Sequence, residues 1–385
     1  MKPFRSSLLP LVVFSAVTTA SAIAEANQNQ ITVTLEAELP GYPRDISDGN
    51  YVVGFSNGDW DWEGAPELSR AGFRWSQEGA EANVEWLTAP NLTQSELYAV
   101  NDNGDAVGTA CFTHSGCQAV FWKADGEIVK LNQEVDREIA KFIAENQLGS
   151  NPSNFPYDVN VHGEVFGFTN FFTHNGARGI LAWTWSNNEG LTILPGGGGE
   201  SQGFERVSAG NINGIAVGGA YDEFIPDGEF ASYWDTANTH HKLDVPQALY
   251  PYGSVAMSVN NSGDIVGVDA SLYTRPWTIN LNDPSSFTQL TESPYGATSI
   301  DSITEGGMIL GSARQVMSGY YFDRPQIWDT EGNLYDINEY YQADSHNIGG
   351  STNIGLNHHR LLVAPKQEIG GSSYIGAAVF RIHGI

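Results

Sequence analysis

One stretch of the chain, from Leu97 to Asn132, contains four short apolar segments separated by three turns. The first turn, NDNGD, and the third, KADGE, contain the Asn-Gly and Asp-Gly pairs that tight hairpins use for residues with positive φ. The second turn is longer and less regular. The stretch therefore predicts a small sheet of four antiparallel strands.

Two features of this stretch recur along the chain: a small apolar run that ends in Gly, and a later aromatic run that ends in Trp. VNNSGDIVG at 259–267 repeats the first feature, and RAGFRW at 70–75 repeats the second. Seven copies are recognisable, and their spacing of about 50 residues suits a four-stranded sheet but is too long for one turn of a β-solenoid. The sequence predicts an all-β fold, a seven-bladed β-propeller of four-stranded antiparallel blades.

The two ends of the repeat array complement each other. The last copy stops near Ile382 after its third strand, and residues 31–35, ITVTL, precede the first copy without a partner. We expect this N-terminal strand to complete the last blade, because the pairing would close the ring and remove exposed sheet edges. Residues 25–385 are thus predicted to form a single propeller domain.

One insertion interrupts the repeats between the second and third copies. Val135, Ile139, Phe142 and Ile143 have helical spacing, which predicts a helix near residues 133–148 that is capped by Asn132. We expect its apolar face to pack on the ring. The alternative is a helix that binds a partner.

Residues 1–24 have the layout of a secretory signal peptide. Basic Lys2 and Arg5 precede an apolar run, and a small-residue cleavage site ends at Ala24. The alternative is a buried N-terminal helix. No later run approaches the roughly 18 apolar residues of a membrane span. We therefore expect a secreted or periplasmic protein that is cleaved near Ala24 and has no membrane span.

The charge balance excludes some partners. The formal net charge is −27, and it becomes −29 when the two basic residues of the leader are removed. Such a field repels nucleic acid and anionic membranes, so we expect neither as a partner. The same charge favours solubility in a saline environment, and we expect a monomer.

The chain has two cysteines, Cys111 and Cys117, and both lie in the second turn of the Leu97–Asn132 stretch. In an oxidising compartment they are predicted to form a disulfide across the mouth of that turn. The alternative is a metal site. Such a site normally needs four ligands, and His114 is the only obvious third.

At NDNGDAVG, VNNSGDIVG, QAVFW and RAGFRW the chain resembles the HAF-repeat family of extracellular bacterial proteins, whose units pair an INxxGxVVG hairpin with an xAFxW strand. The resemblance covers nearly all of the chain after the leader and implies propeller-like repeats, but no particular activity. The His that names the family is absent, so no role of that His carries over. At or next to its position stand Arg70, Gln118, Arg178, Arg275 and Arg324.

The loops of a propeller lie at two ends of the ring. The turns between strands one and two and between strands three and four form one end, which we call the turn face; here they are mostly short and alike. The two-to-three loops and the blade connections form the other end, the loop face, and vary widely. Binding residues concentrate on variable loops carried by a rigid scaffold, so the loop face is the predicted binding surface.

Candidate ligand-binding residues lie in these variable loops. Trp60 and Trp62 alternate with carboxylates, and aromatic rings stack on sugar faces while carboxylates accept hydrogen bonds from sugar hydroxyls. The alternative is that the two Trp rings pack over the blade edge. Tyr320 and two of the recurring arginines, Arg275 and Arg324, are the other candidates. Recurring arginines have an alternative role in ion pairs between blades.

These features favour a secreted propeller that recognises an extracellular ligand, such as a carbohydrate or another cell-surface polymer. The first alternative is a polysaccharide lyase or hydrolase, in which Arg neutralises a uronate carboxylate while His or Tyr transfers the proton. Its candidate catalytic residues are His174, Tyr221, Tyr273 and Arg178. The second alternative is a protein-interaction platform.

No cofactor or metal site is predicted. His240-His241 and His358-His359 lack a carboxylate at helical spacing, and the NDNGD and NNSGD turns lack the twelve-residue pattern of a calcium loop. These turns are interpreted as plain hairpins. The glycines at 196–199 do not join a strand to a helix, so they do not form a phosphate-binding loop.

Overall fold

The computed structural model describes residues 31–385 except 58–61, 63, 79–80, 114–115, 147, 175, 177, 197–204, 222–228, 271–274, 297, 318–319, 342, 344–345, 351–353 and 369–373. The predicted signal peptide, residues 1–24, lies outside the described residues. Seven antiparallel sheets follow one another along the chain. The inner strand of each sheet contacts the inner strands of its two neighbours, and these contacts close into a ring. The predicted seven-bladed β-propeller is confirmed.

Six blades each consist of four consecutive strands, ordered from the inner to the outer edge. Blade 1 contains β2 (Tyr42–Ile46), β3 (Val52–Ser56), β4 (Ala71–Glu78) and β5 (Glu81–Trp86). Blade 2 contains β6 (Leu92–Val100), β7 (Ala106–Phe112), β8 (Gly116–Trp122) and β9 (Ile128–Lys130). Blade 3 contains β10 (Gly149–Val159), β11 (Val165–Thr173), β12 (Arg178–Ser186) and β13 (Gly190–Ile193).

The second half of the ring repeats this order. Blade 4 contains β14 (Glu205–Gly210), β15 (Ala216–Tyr221), β16 (Glu229–Trp234) and β17 (His240–Lys242). Blade 5 contains β18 (Ser254–Val259), β19 (Asp264–Asp269), β20 (Trp277–Asn280) and β21 (Asp283–Gln289). Blade 6 contains β22 (Thr298–Ile303), β23 (Ile309–Met317), β24 (Tyr320–Trp328) and β25 (Leu334–Asp336), followed by the 3-10 helix Ile337–Glu339.

Blade 7 joins the two ends of the described chain. Its inner edge is divided between β26 (His346–Ile348) and β27 (Gly355–Leu356), which both pair with β28 (Leu361–Glu368). β29 (Tyr374–His383) follows, and β1 (Thr32–Leu39) pairs with it in antiparallel fashion as the outer strand. The predicted closure by the N-terminal strand is therefore confirmed. The sequence pattern missed β26.

The predicted insertion is helix α1 (Asn132–Glu145), between blades 2 and 3. Leu131, rather than Asn132, occupies the N-cap position. Ile139 and Ile143 are buried in one apolar cluster with side chains of both neighbouring blades. The described apolar face of the helix thus packs on the ring, as expected.

The apolar core lies between adjacent sheets. One cluster joins Val53 of blade 1 to Leu97 and Val120 of blade 2, and similar clusters follow around the ring. The Trp of the third strand is fully buried in several blades, including Trp75 and Trp328 at no more than 1% exposure. The recurring aromatic run in the sequence therefore fills the space between blades.

The turns between first and second strands do more than reverse the chain. Asn160 accepts hydrogen bonds from the backbone N–H groups of His162 and Glu164, and its amide donates to the carbonyl of Asn211 in the next blade at 3.0 Å. Asn101, Asn211, Asn260 and Asn357 make the same donation to the next blade. We call this arrangement the Asn clasp. The interpretation of these turns as plain hairpins was thus incomplete.

The glycine of the repeat has a separate role in the same turn. Gly104, Gly163 and Gly263 have φ values of 86°, 73° and 82°, in the left-handed region that glycine adopts without strain. Arg360 holds the equivalent place in blade 7 with φ of 63°. The turn geometry is therefore kept even where the repeat is most altered.

Candidate functional site

A cavity of about 340 Å³ opens at the loop face between blades 2 and 3. Its wall consists of Arg70, the start of β6, the two cysteines and the 152–155 segment of β10. Tyr98 and Thr109 complete the lining. We call it the rim cavity. It lies on the face that the sequence predicts to bind ligands.

The disulfide forms one side of the rim cavity. Cys111, near the end of β7, lies directly opposite Cys117 of β8, and the two residues are bonded, as predicted. The side-chain amide of Gln94 lies 3.0 Å from the Cys111 sulfur. This cross-link lies beside the loop that joins the two strands and restrains that end of the hairpin, so the cavity wall is held in place.

Two arginines share one buried carboxylate beside the cavity. Glu96, which is 5% exposed, accepts a hydrogen bond from Nε of Arg44 at 3.0 Å and pairs with Arg70 through its other oxygen. The Arg70 guanidinium lies 4.4 Å from the ring centre of Phe55. Charge-assisted bonds to a buried acceptor and stacking on an aromatic ring fix the orientation of a guanidinium. We call Arg44, Glu96 and Arg70 the arginine triad.

Tyr98 joins the rim cavity to the central channel, since it lines both. Its hydroxyl lies 3.0 Å from the hydroxyl of Thr109. Burial raises the pKa of Tyr98, with the Thr109 hydrogen bond acting in the opposite sense. Tyr98 is therefore a neutral hydrogen-bonding group at physiological pH.

The central channel has a volume of about 220 Å³ and is lined by all seven blades. In blades 1 to 6 the inner strand carries a β-bulge at one shared register. A bulge inserts one residue and re-aims the side chains on either side of it. The inserted residues include Arg44, Tyr98, Tyr157 and Asp301, and all four line the channel.

Three carboxylates in the channel wall have raised pKa values. Burial raises the pKa of Asp45 and of Asp301 to about 7, and it also raises that of Asp158. Asp45 accepts a hydrogen bond from the backbone N–H of Val100 in blade 2, and Asp158 accepts one from Gly210 in blade 4. Asp45 and Asp158 thus connect neighbouring blades around the channel.

A larger groove of about 450 Å³ lies at the turn face between blades 5 and 6. Its carboxylates already serve the local structure. Asp264 accepts hydrogen bonds from the side chains of Asn260 and Asn280, and Asp329 accepts backbone and side-chain bonds within its own turn. We favour the smaller rim cavity because the triad and the disulfide give it a fixed polar wall. This wall is not part of a hydrogen-bonded turn.

The structure places only some of the predicted catalytic residues. His174 is exposed, next to the end of β11. The backbones of Arg178 and Tyr221 lie at the ends of strands on the loop face, but their side chains are outside the described residues, as is all of Tyr273. The convergence of these four side chains stays a prediction.

The predicted ligand-binding residues are placed as follows. Trp62 is half-buried, Trp60 lies outside the described residues, and only the backbone of Tyr320 is described. Arg275 lies 3.5 Å from Asp269, and Arg324 binds Asp336. Both of these pairs lie within one blade, so the inter-blade ion pair expected of the recurring arginines holds for Arg70 but not for these two.

Sequence reasoning missed Arg44, Glu96 and Tyr98. Arg44 and Glu96 are 52 positions apart, close to one repeat length, and belong to neighbouring inner strands. The sequence did contain a signal for this pair, since both repeats carry a charged residue in their first strand. Such residues can meet because the inner strands of neighbouring blades contact each other.

Within the described part of the chain, no group of three or more His, Cys, Asp or Glu side chains is arranged to hold a metal ion. His240 and His241 begin β17 instead of lying in a turn. His358 pairs with Asp48 of blade 1 at 2.6 Å. Over the same described residues, no helix has the length and apolar character to cross a membrane.

Comparisons with known proteins give similarities of structure only. No family model matches the chain, and no curated protein sequence matches it. An acylaminoacyl peptidase of Pyrococcus horikoshii is 9% identical with a TM-score of 0.46; the match covers 86% of this chain and 49% of the peptidase, so the chain spans about half of that protein.

Two further solved structures are similar at the same level. The β-propeller domain of the Trilobed protease from Pyrococcus furiosus is 9% identical with a TM-score of 0.45, over 86% of this chain and 92% of that one. A mutant Trypanosoma rangeli sialidase that displays trans-sialidase activity is 10% identical with a TM-score of 0.42, over 93% of this chain and 57% of that one.

Proposed function

We propose that this protein is a secreted β-propeller that recognises an extracellular carbohydrate in the rim cavity. The observation that carries the proposal is the cavity itself, a preformed concavity at the loop face with a fixed polar wall. Its volume of about 340 Å³ falls within the range of about 300–1,000 Å³ that is usual for small-molecule sites. A short saccharide segment suits a site of this size.

The chemistry of the lining supports a saccharide. Gln94, Asn154 and Thr109 bring amide and hydroxyl groups to the cavity, and Tyr98 and Phe155 bring aromatic rings. A sugar presents hydroxyls around its edge and C–H groups on its faces. Convergent polar groups with adjacent aromatic rings can satisfy both.

The rigidity of the wall favours binding. The disulfide restrains β7 and β8, and the buried Glu96 restrains Arg44 and Arg70. Side chains that are already ordered lose little conformational entropy when a ligand arrives. The disulfide is also the type of cross-link that persists in an oxidising compartment, which supports the proposed secretion.

Filling the cavity tests the proposal. Ser153 is exposed and lines the rim cavity, so Ser153→Trp should block it without disturbing the core. Thr330 is exposed and lines the turn-face groove, so Thr330→Trp is the matched control. On a panel of bacterial, plant and animal glycans, the wild-type protein and the control should bind alike, and Ser153→Trp should lose binding by about tenfold or more.

The opposite pattern, loss of binding in Thr330→Trp alone, would place the ligand in the groove and contradict the proposal. Absence of glycan binding across the panel would contradict carbohydrate recognition. New ultraviolet absorbance from unsaturated sugar ends would support the lyase alternative. N-terminal sequencing of protein exported by the native host should begin near Glu25, and an intact leader would contradict secretion.

A further inference from the structure

We infer that the carbohydrate bound in the rim cavity is acidic, with a uronate carboxylate that binds Arg70. This inference rests on the proposed function, and it adds the chemical class of the ligand. It follows from the balance of charge at the arginine triad, from the exposure of Arg70 and from a comparison with the other arginines of the loop face.

The triad has one more positive than negative charge. Glu96 is held between two guanidinium groups, with Arg44 on one carboxylate oxygen and Arg70 on the other. Among the described residues that line the rim cavity, Arg70 and Glu96 are the only charged ones. These two charges cancel within the lining, and the additional positive charge comes from Arg44, which lies behind Glu96 and lines the central channel.

The two other described arginines of the repeat are paired one to one. Arg275 lies beside Asp269, which is 1% exposed, and Arg324 binds Asp336, which is 7% exposed. Each of these guanidinium groups neutralises a single buried carboxylate, so neither pair has charge left for a ligand. Among the described side chains of the recurring arginines, only that of Arg70 shares its carboxylate with a second arginine.

Arg70 is also the most exposed arginine of the three. Its side chain is 45% exposed, compared with 29% for Arg275 and 22% for Arg324. Glu96 uses one terminal nitrogen of Arg70, and a guanidinium has five N–H donors in a planar fork. A carboxylate matches that fork in shape and charge, whereas a neutral sugar hydroxyl gains only an ordinary hydrogen bond.

The acidity of the rest of the protein helps to confine an acidic glycan to the rim cavity. The formal net charge of −27 repels a polyanion over most of the surface. Screening at physiological salt reduces that repulsion beyond about 8 Å, so local charge decides binding inside the cavity. An acidic glycan should therefore bind at the triad and not adhere elsewhere.

The test compares acidic polymers with their neutral counterparts. The probes are polygalacturonate, polymannuronate, polyguluronate and polyglucuronate, each paired with the same polymer after chemical reduction of its carboxyl groups. The proteins are wild type, Arg70→Gln, and Arg314→Gln as the control, because Arg314 is an exposed arginine of blade 6 that pairs with Asp323. Binding is measured by calorimetry at low and at high salt, and circular dichroism confirms folding.

We expect at least one polyuronate to bind wild type about tenfold or more tightly than its reduced form. Arg70→Gln should remove that preference and flatten the salt dependence, and Arg314→Gln should leave both unchanged. Glu96 keeps Arg44 as a partner in Arg70→Gln, so the fold should survive. If Arg70→Gln does not fold, Arg70→Lys should retain part of the preference, since it keeps the charge without the fork.

Equal binding of native and reduced polymers would overturn the inference while leaving carbohydrate recognition in place. Binding of neutral glycans alone would do the same. An equal loss of preference in Arg314→Gln would also overturn it, since the triad would then have no special role. Lack of binding to any glycan, acidic or neutral, would overturn both the inference and the proposed function.

Discussion

At the turn face, five blades carry the same Asn clasp, and each clasp reaches the backbone of the following blade. At the loop face, the loops differ in length and sequence between blades even where an arginine recurs. Among the described residues, an arginine triad occurs only between blades 1 and 2. One face repeats its contacts and the other varies them. The repeat sequence therefore records how the ring is held together, while the proposed binding residues lie where the blades differ from one another.

The clasp should therefore control stability, and the largest effect is expected there. Asn160 is 5% exposed, and Asn160→Ala removes bonds to two backbone N–H groups and one carbonyl. Leaving such buried groups unpaired should lower the free energy of unfolding by about 3 kcal/mol, measured by urea denaturation.

The control for this variant lies in a turn of the same type. Asn213 is exposed, and its side chain donates to a carbonyl at 3.2 Å. Asn213→Ala should cost less than about 1 kcal/mol. Equal losses in the two variants would contradict the clasp, and so would glycan binding that is weakened in folded Asn160→Ala.

Removal of the disulfide should lower both the stability of the protein and its affinity for the glycan. Replacing Cys111 and Cys117 by Ser frees a short loop, and the chain-entropy estimate gives a loss of about 2 kcal/mol in the free energy of unfolding. Glycan affinity should fall as well, because the cavity wall loses its restraint. Calorimetry on folded protein separates the two effects, and unchanged affinity would show that the wall does not depend on the cross-link.

A smaller effect is expected in the channel, which lies between the two faces. Burial raises the pKa of Asp301 to about 7 from 3.8. The folded state then binds more protons than the unfolded state between about pH 4 and pH 7, so this group lowers stability as the pH rises through that window. The full shift would correspond to about 4 kcal/mol, but Asp301 lines the channel, where solvent screening reduces the effect. Asp301→Asn should therefore be more stable than wild type at pH 8 by about 1 kcal/mol, and the difference should vanish near pH 4.

Urea denaturation of both proteins at the two pH values measures this difference. Asp244 is exposed, so Asp244→Asn is the control and should show no pH-dependent difference from wild type. A constant difference between Asp301→Asn and wild type at both pH values would show that Asp301 does not titrate in this range.

The sequence was sufficient to predict the ring and its closure because both follow from the regular spacing of the repeats. A turn with Gly and a Trp in the third strand mark blades 1 to 6, and the unpaired ITVTL segment matches the missing strand of blade 7. Strand β26 escaped detection because His346–Ile348 is short and has no repeat signature. The disulfide was predictable because the two cysteines flank a single turn.

The triad was not predictable in the same way. Whether Arg44 points along the sheet or into the channel depends on a one-residue bulge in β2, and a shift of one residue moves a strand side chain to the other face. The contact of Arg70 with Glu96 depends further on how blade 1 packs against blade 2. Neither property is encoded in the spacing of residues along a single repeat.

Hydrogen–deuterium exchange with and without a bound glycan distinguishes the loop face, which is proposed to bind, from the turn face, which holds the ring together. We predict that the ligand slows exchange at residues 92–98, 109–113 and 152–155, which surround the rim cavity. Residues 101–105, 160–164 and 211–215, which form the clasped turns, should exchange at the same rate in both states. Protection confined to those turns, with none around the rim cavity, would contradict glycan binding in the rim cavity.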